Sequence, residues 1–235
     1  MAKGKLYIVP IGISEASLNN VLPDYNTTIV KELRCFVVEK LKTSRQFLRK
    51  MDREFPIDDT LFFEQNKHDD YSFEASVIDQ LKNGVDVGLM SESGYAGIAD
   101  PGAKIVANAH KIGVDVIPLI GPSSIFLALA ASGMNANGFT FHGYLPKKDP
   151  ERGNQIKSVS NQVSKLGYAQ IFIETPYRNE LIFKDFLRLG NGEHKLCIAY
   201  DITGPKEKIQ TKRISDWKSK PFKFDKTPCV FVIGN

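Results

Sequence analysis

The chain has 235 residues, of which 42% are hydrophobic and 25% are charged, and its formal net charge is +4. These values exclude a disordered or fibrous protein and allow either one large hydrophobic core or two modest ones. The first apolar run contains Pro10 and Gly12, and it is too short for a membrane span or the apolar part of a signal peptide. We therefore expect a cytoplasmic protein with no membrane segment.

The three cysteines and four histidines are not spaced like disulfide partners or metal ligands. Cys35, Cys197 and Cys229 lie in apolar runs, which favours reduced thiols in the core. Eight basic residues stand against three acidic ones between Gly204 and Lys226. This basic segment suits an RNA substrate, because phosphate contacts supply most non-specific affinity, although an ordinary solvated face explains it as well.

Five apolar runs in the first half predict the strands of a mainly parallel sheet. They cover residues 6–12, 36–39, 61–63, 85–90 and 114–120. Amphipathic stretches predict helices over 44–51 and 73–81, and Asp100-Pro101-Gly102 predicts the start of another, with the proline in its first turn. This alternation of strands and helices indicates an α/β domain with helices on both faces of the sheet.

The pattern changes after Gly121, where an Ala- and Leu-rich helix runs to Ala131. We predict an N-terminal α/β domain over residues 1–120 and a C-terminal α/β domain with a mixed sheet over residues 121–235. The strands expected in the second sheet cover residues 139–144, 171–174, 197–200 and 230–233, with an exposed strand over 206–212.

Familiar phosphate-binding and nucleophile motifs are missing from the sequence. No G-x-G-x-x-G follows the first strand, and no G-x-x-x-x-G-K-[ST] occurs. Ser123 and Ser124 lack the G-x-S-x-G flanks of a hydrolase nucleophile, which favours a role at the start of a helix. What remains is a set of loops at the strand ends, where α/β sheets bind ligands; their hydroxyls, backbone amides and carboxylates suit a zwitterionic, ribose-bearing cofactor.

Four motifs, in this order and at about this spacing, identify the chain as similar to a known family. They are Asp100-Pro101-Gly102, Gly121-Pro122-Ser123-Ser124, the segment 139–148 and Glu174-Thr175-Pro176-Tyr177-Arg178. The sequence resembles, over nearly its whole length, the bacterial ribose methyltransferases of small-subunit ribosomal RNA, a branch of the tetrapyrrole methylases. The resemblance implies two α/β domains with S-adenosylmethionine in the cleft between them, a homodimer, an RNA substrate and no metal.

The resemblance also implies which residues form the site. The implied cofactor-binding positions are Pro10, Gly12, Glu92, Tyr95, Ser123 and Ser124, with Thr175 and Pro176 closing the pocket from the second domain. Glu39, Arg45 and Asn66 match family positions and are candidates for substrate orientation or proton handling. A purely structural salt bridge between Glu39 and Arg45 is the alternative.

The sequence departs from the family at several motifs, which leaves other functions open. The family's Ser-Asp-Ala-Gly-Thr-Pro loop is Ser91-Glu92-Ser93-Gly94-Tyr95-Ala96, and of its Glu-Asp-Thr-Arg motif only Glu39 survives. One alternative function is methylation of a tetrapyrrole or another small acceptor. The other is a non-catalytic protein that binds the cofactor or RNA.

Overall fold

The chain forms two compact units, Met1–Ser123 and Ser124–Asn235, in the computed structural model. The structure describes residues 2–65, 71–99 and 102–235. No helix in these ranges is both long enough and apolar enough to cross a membrane.

The first unit contains a five-stranded parallel sheet in the order β3-β2-β4-β1-β5. Its strands are β1 (Leu6–Ile8), β2 (Cys35–Val38), β3 (Leu61–Glu64), β4 (Val87–Met90) and β5 (Val116–Pro118). Its helices are α1 (Leu18–Val21), α2 (Asp24–Glu32), α3 (Leu41–Met51), α4 (Tyr71–Lys82) and α5 (Ala103–Lys111). The first two of these helices lie between β1 and β2.

Successive side chains along the strands point to opposite faces of this sheet, so a buried apolar cluster forms on each face. Phe36 and Val38 of β2 belong to one buried cluster, and Cys35 and Val37 belong to the other. Because both faces are covered, the strands are continuous apolar runs, as the sequence predicts.

The second unit contains a mixed sheet in the order β6-β7-β10-β8-β9, in which only β6 and β7 run parallel. Its strands are β6 (Phe139–Phe141), β7 (Ala169–Glu174), β8 (Lys195–Tyr200), β9 (Lys208–Arg213) and β10 (Cys229–Gly234). Its helices are α6 (Ser124–Ala131), α7 (Glu151–Leu166), α8 (Asn179–Leu189) and α9 (Ile214–Ser219). The expected strand over 206–212 is β9, at the edge of the sheet.

Several predicted boundaries in the first unit need correction. The strand predicted over 6–12 ends at Ile8, and the one predicted over 114–120 ends at Pro118. Strand β4 begins at Val87, since the amide of Val85 instead closes a turn by donating to Gln80 O. Strand β5 begins at Val116, since the amide of Val114 donates to Ala109 O after α5. Helix α5 begins at Ala103 rather than at 100–102, because Gly102 has a φ of 127°, which no helical residue adopts. Asp100 and Pro101 lie outside the described residues.

The cysteines are buried and free, as expected. Burial raises the pKa of the Cys35 thiol to about 12, so this side chain stays protonated and inert. No cluster of metal-ligating side chains occurs within the described ranges. Of the histidines described, His142 stacks on Phe172 at 4.7 Å and His194 is buried beside Ser164, which is consistent with structural roles.

A buried ion network joins α7 to α8 in the second unit. Arg152 and Asp185 each have a side chain only 6% exposed, and Arg152 Nε donates to Asp185 Oδ2 over 2.7 Å. Arg152 also donates to Asp149 Oδ2 over 2.6 Å, and Arg188 donates to Asp185 Oδ1 over 2.7 Å. These partners satisfy a carboxylate and a guanidinium that would be costly to bury alone.

Candidate functional site at the carboxyl edge of the first sheet

Two carboxylates follow neighbouring strands at the carboxyl edge of the parallel sheet. Val38 of β2 lies in register with Met90 of β4, so the residues after both strands emerge side by side. Glu39 is partly buried there, and its Oε2 accepts the Glu92 amide over 3.3 Å. This long hydrogen bond leaves most of the Glu39 carboxylate available to a ligand.

The Glu92 side chain ties the loop after β4 to the start of α3. Its Oε2 accepts a hydrogen bond from Lys40 Nζ over 2.7 Å, and its Oε1 accepts one from Thr43 Oγ1. The hydrogen bond to Glu92 raises the pKa of Lys40, so this lysine stays charged. Both Glu92 oxygens have protein partners, and a cofactor contact from this residue stays a prediction.

Tyr95 braces two loops of this edge through its hydroxyl group. The hydroxyl accepts the Gly121 amide over 2.7 Å and lies 2.9 Å from Leu119 O and 3.3 Å from Gly121 O, to either of which it can donate. The side chain therefore links the loop after β4 to the loop after β5. Its ring is a departure from the family pattern, and the sequence gives no signal of this bracing role.

The loops after β1, β4 and β5 approach closely. The Ile11 amide donates to Gly94 O over 3.0 Å, and Gly94 has a φ of 69° that favours glycine. A Cβ atom on Gly121 would lie 2.4 Å from the ring of Pro10, so only glycine fits at that position. Pro10 thus packs inside the edge, and Gly12 follows it in the same loop.

The predicted catalytic residues are not all brought together. Arg45 is exposed on α3, with its guanidinium 5.4 Å from the centre of the Phe62 ring. No ion pair connects the described side chains of Glu39 and Arg45, so the alternative of a structural salt bridge between them is wrong. Asn66 lies outside the described residues.

The remaining predicted cofactor residues lie at two positions along the chain. Ser123 ends the first unit and Ser124 begins α6, which confirms the helix start expected there. Thr175 and Pro176 follow β7 in the second unit. The Thr175 amide donates to Glu174 Oε1 over 2.7 Å, which fixes the turn after that strand.

The Tyr95 brace can be tested with Tyr95→Phe, which leaves the partly buried Gly121 amide without its acceptor. An unsatisfied group of this kind costs about 1–3 kcal/mol. We expect faster hydrogen exchange at the Gly121 amide and about tenfold weaker cofactor binding in calorimetry, which corresponds to about 1.4 kcal/mol. Tyr25→Phe, at an exposed tyrosine, is the control. Unchanged exchange and affinity in Tyr95→Phe would show that the hydroxyl does not hold the loops.

Comparison with known sequences shows what the chain is similar to. A profile of the Tetrapyrrole (Corrin/Porphyrin) Methylases matches residues 5–217. A Vibrio cholerae protein named Ribosomal RNA small subunit methyltransferase I is 32% identical over 151 residues, covering 64% of this chain and 51% of that protein. A protein of the same name from Pseudomonas aeruginosa is 26% identical over 239 residues, covering 100% of this chain and 80% of that protein. The match thus spans about half of the Vibrio protein.

Solved structures show the same fold. The methyltransferase CobJ superposes with a TM-score of 0.62 at 14% identity, over 99% of this chain and 94% of that one. Uroporphyrin-III C-methyl transferase from Thermus thermophilus, complexed with S-adenyl homocysteine, superposes with a TM-score of 0.55 at 15% identity. The superposition covers 99% of this chain and 98% of that one. The predicted two-domain α/β fold is confirmed, and the profile match establishes that the chain belongs to the tetrapyrrole (corrin/porphyrin) methylase family.

Proposed function

We propose that the chain is an S-adenosylmethionine-dependent methyltransferase that methylates a ribose hydroxyl of small-subunit ribosomal RNA. The observation that carries this proposal is the alignment of the whole chain, at 26% identity, with a protein named for methylation of that RNA. The partly exposed Glu39 carboxylate at the carboxyl edge of the sheet supports it, because ligands of open α/β sheets bind there.

The chemistry of this edge fits the proposed cofactor. The exposed Ile98 and Ile120, in the loops after β4 and β5, offer apolar surface for the adenine base of this cofactor. S-adenosylmethionine supplies a methyl group on a positively charged sulfur. The contacts proposed for Glu92, Ser123, Ser124, Thr175 and Pro176 follow from the family resemblance and stay predictions.

The proposed roles of the protein's side chains follow from the acceptor. A ribose hydroxyl must lose its proton as it attacks, and a carboxylate within reach can take that proton. Glu39 is our candidate for this step, because the hydrogen bond that it accepts from the described residue Glu92 is long and leaves oxygen lone pairs available. Arg45, held over the Phe62 ring, is our candidate for orienting the RNA.

Calorimetry with S-adenosylmethionine and S-adenosylhomocysteine, followed by transfer of radiolabelled methyl groups to purified small ribosomal subunits, tests the proposal. We expect binding of both ligands and RNA labelling that alkali treatment does not remove from the ribose. Labelling of uroporphyrinogen but not of RNA would show a tetrapyrrole acceptor. Cofactor binding without any transfer would show a non-catalytic homologue.

A homodimer is also expected, and the second unit offers a surface for it. Phe126 and Leu127 of α6 and Phe139 of β6 are 53%, 38% and 40% exposed, and the two phenylalanine rings are in contact. Exposed apolar clusters of this kind mark protein contacts. We expect sedimentation equilibrium to give the mass of a dimer, and Phe126→Lys to shift it to that of a monomer. A monomeric wild-type protein would contradict the proposal.

A further inference from the structure

Two of the eight basic residues between Gly204 and Lys226 are paired with acidic side chains of the same unit. Lys206 forms an ion pair with Asp225 at 2.8 Å, and Arg213 forms one with Glu193 at 3.3 Å. The charge count over this segment therefore overstates what is available to bind phosphates.

Helix α3 presents its cations on one face, and they have no acidic partner among the residues that the structure describes. Lys42, Arg45 and Arg49 follow the i, i+3, i+7 spacing and are all exposed, while Ser44 and Phe47 are buried on the other face. None of these three cations forms an ion pair with another described residue. The row covers about 10 Å along the helix, given a rise of about 1.5 Å per residue.

An open groove of about 680 Å³ runs beside this row of cations. Its lining residues are Arg45, Gln46, Arg49, Lys50, Ile57 and Asp58. Three cations against one carboxylate give the groove a net positive charge. Contact with the Phe62 ring holds the Arg45 guanidinium in place, which lowers the entropy lost when it binds an anion.

The same helix begins at the candidate functional site. Glu39 and Lys40 lie immediately before it, and Thr43 in its first turn donates to Glu92. The Leu41 amide at its start donates to Glu64 Oε1 over 2.8 Å. A polyanion lying along α3 would therefore extend from this edge of the sheet.

We propose that the exposed face of α3, formed by Lys42, Arg45, Arg49 and Lys50, binds the phosphate backbone of the RNA substrate. This inference rests on the proposed function, because it places the RNA of that reaction. Charge complementarity supports it: a row of cations that have no acidic partner among the described residues fits a chain of phosphates. Guanidinium groups bind phosphate oxygens with paired hydrogen bonds, and the hydrogen bond that Arg49 donates to Arg53 O over 2.6 Å leaves its charge uncompensated.

The experiment compares two triple variants with the same change in charge. The first replaces Lys42, Arg49 and Lys50 of α3 by glutamine. The control makes Lys218→Gln, Lys220→Gln and Lys223→Gln in the C-terminal segment, where these lysines are exposed and form no ion pair with another described residue. Fluorescence anisotropy with a labelled single-stranded RNA of mixed sequence measures the affinity at several salt concentrations.

We expect the α3 variant to bind this RNA about 100-fold more weakly at about 0.1 M salt, with the slope of log K against log salt reduced by about 2. The control variant should bind as the wild type does. Both variants should keep the wild-type affinity for S-adenosylhomocysteine and the wild-type melting temperature, which excludes misfolding. Equal RNA affinity of the α3 variant and the wild type, or a larger loss in the control, would overturn the inference.

Two further outcomes separate this inference from the proposed function. If the wild-type protein bound RNA but did not methylate small subunits, and only the α3 variant bound RNA more weakly, the proposed function would be contradicted. The inferred binding surface would then still be supported. If the wild-type protein and the α3 variant methylated the subunits equally well at limiting RNA, the inferred binding surface would be contradicted and the proposed function would not. Binding of anionic phosphatidylserine vesicles without RNA binding would also overturn it.

Discussion

Replacement of Asp185 by alanine is expected to lower the free energy of unfolding of the second unit by about 3–5 kcal/mol. The change removes the carboxylate that accepts hydrogen bonds from both Arg152 and Arg188. The Arg152 guanidinium, only 6% exposed, would then keep its charge with Asp149 as its remaining acidic partner. An under-compensated buried charge is among the few causes of so large a loss.

Urea unfolding followed by tryptophan fluorescence measures the free energy of unfolding of the second unit. The chain has a single tryptophan, Trp217, which is 1% exposed in the core of the second unit and 5.7 Å from the Phe183 ring. Its signal therefore reports unfolding there. The control is Glu180→Ala, which removes an exposed pair with Lys184 on the same helix and should cost less than about 1 kcal/mol. Similar losses in both variants would contradict the argument.

The difference in the free energy of unfolding between the wild type and Asp185→Ala should depend on pH, and the direction of the pKa shift of Asp185 gives the sign. Burial alone would raise the pKa of Asp185, but hydrogen bonds from Arg188 and Arg152 outweigh it and hold the pKa below its usual value of 3.8. The stabilisation is therefore complete above the pKa of the unfolded chain and is lost as the pH falls through the lower, folded value. The difference between wild type and Asp185→Ala should shrink below about pH 4.

Apolar runs are sufficient to predict the parallel sheet, because strands buried on both faces need continuous apolar sequence. The strand order is not encoded in such runs. The adjacency of β2 and β4, which places Glu39 beside Glu92, depends on contacts between residues more than fifty positions apart. Sequence reasoning could therefore place each carboxylate at a strand end but could not pair them.

Charge counts fail for a related physical reason. The segment 204–226 has more basic residues than α3, yet two of them, Lys206 and Arg213, form ion pairs with acidic side chains that the fold brings near. On α3 the cations share one face because of the helical period. Acidic partners for them would have to come from other segments of the chain. The spacing of Lys42, Arg45 and Arg49 is a signal that the sequence alone contains.

Replacement of Glu39 by glutamine is expected to lower kcat for methylation of small ribosomal subunits by about 10²–10⁴-fold. The amide has nearly the shape of the carboxylate, and its oxygen can still accept the Glu92 amide. It cannot take a proton from a ribose hydroxyl. Calorimetry should therefore find the affinity for S-adenosylhomocysteine preserved, while transfer of labelled methyl groups under saturating substrate is largely lost.

The matched control for this variant is Glu64→Gln, which removes a negative charge at the same edge of the sheet. Its amide oxygen can still accept the Leu41 amide at the start of α3, so the helix should be unaffected. We expect turnover near that of the wild type. If Glu39→Gln also turned over at the wild-type rate, Glu39 would have no part in proton transfer; if both variants lost turnover equally, the negative charge of the edge, rather than a base at position 39, would be what the reaction requires.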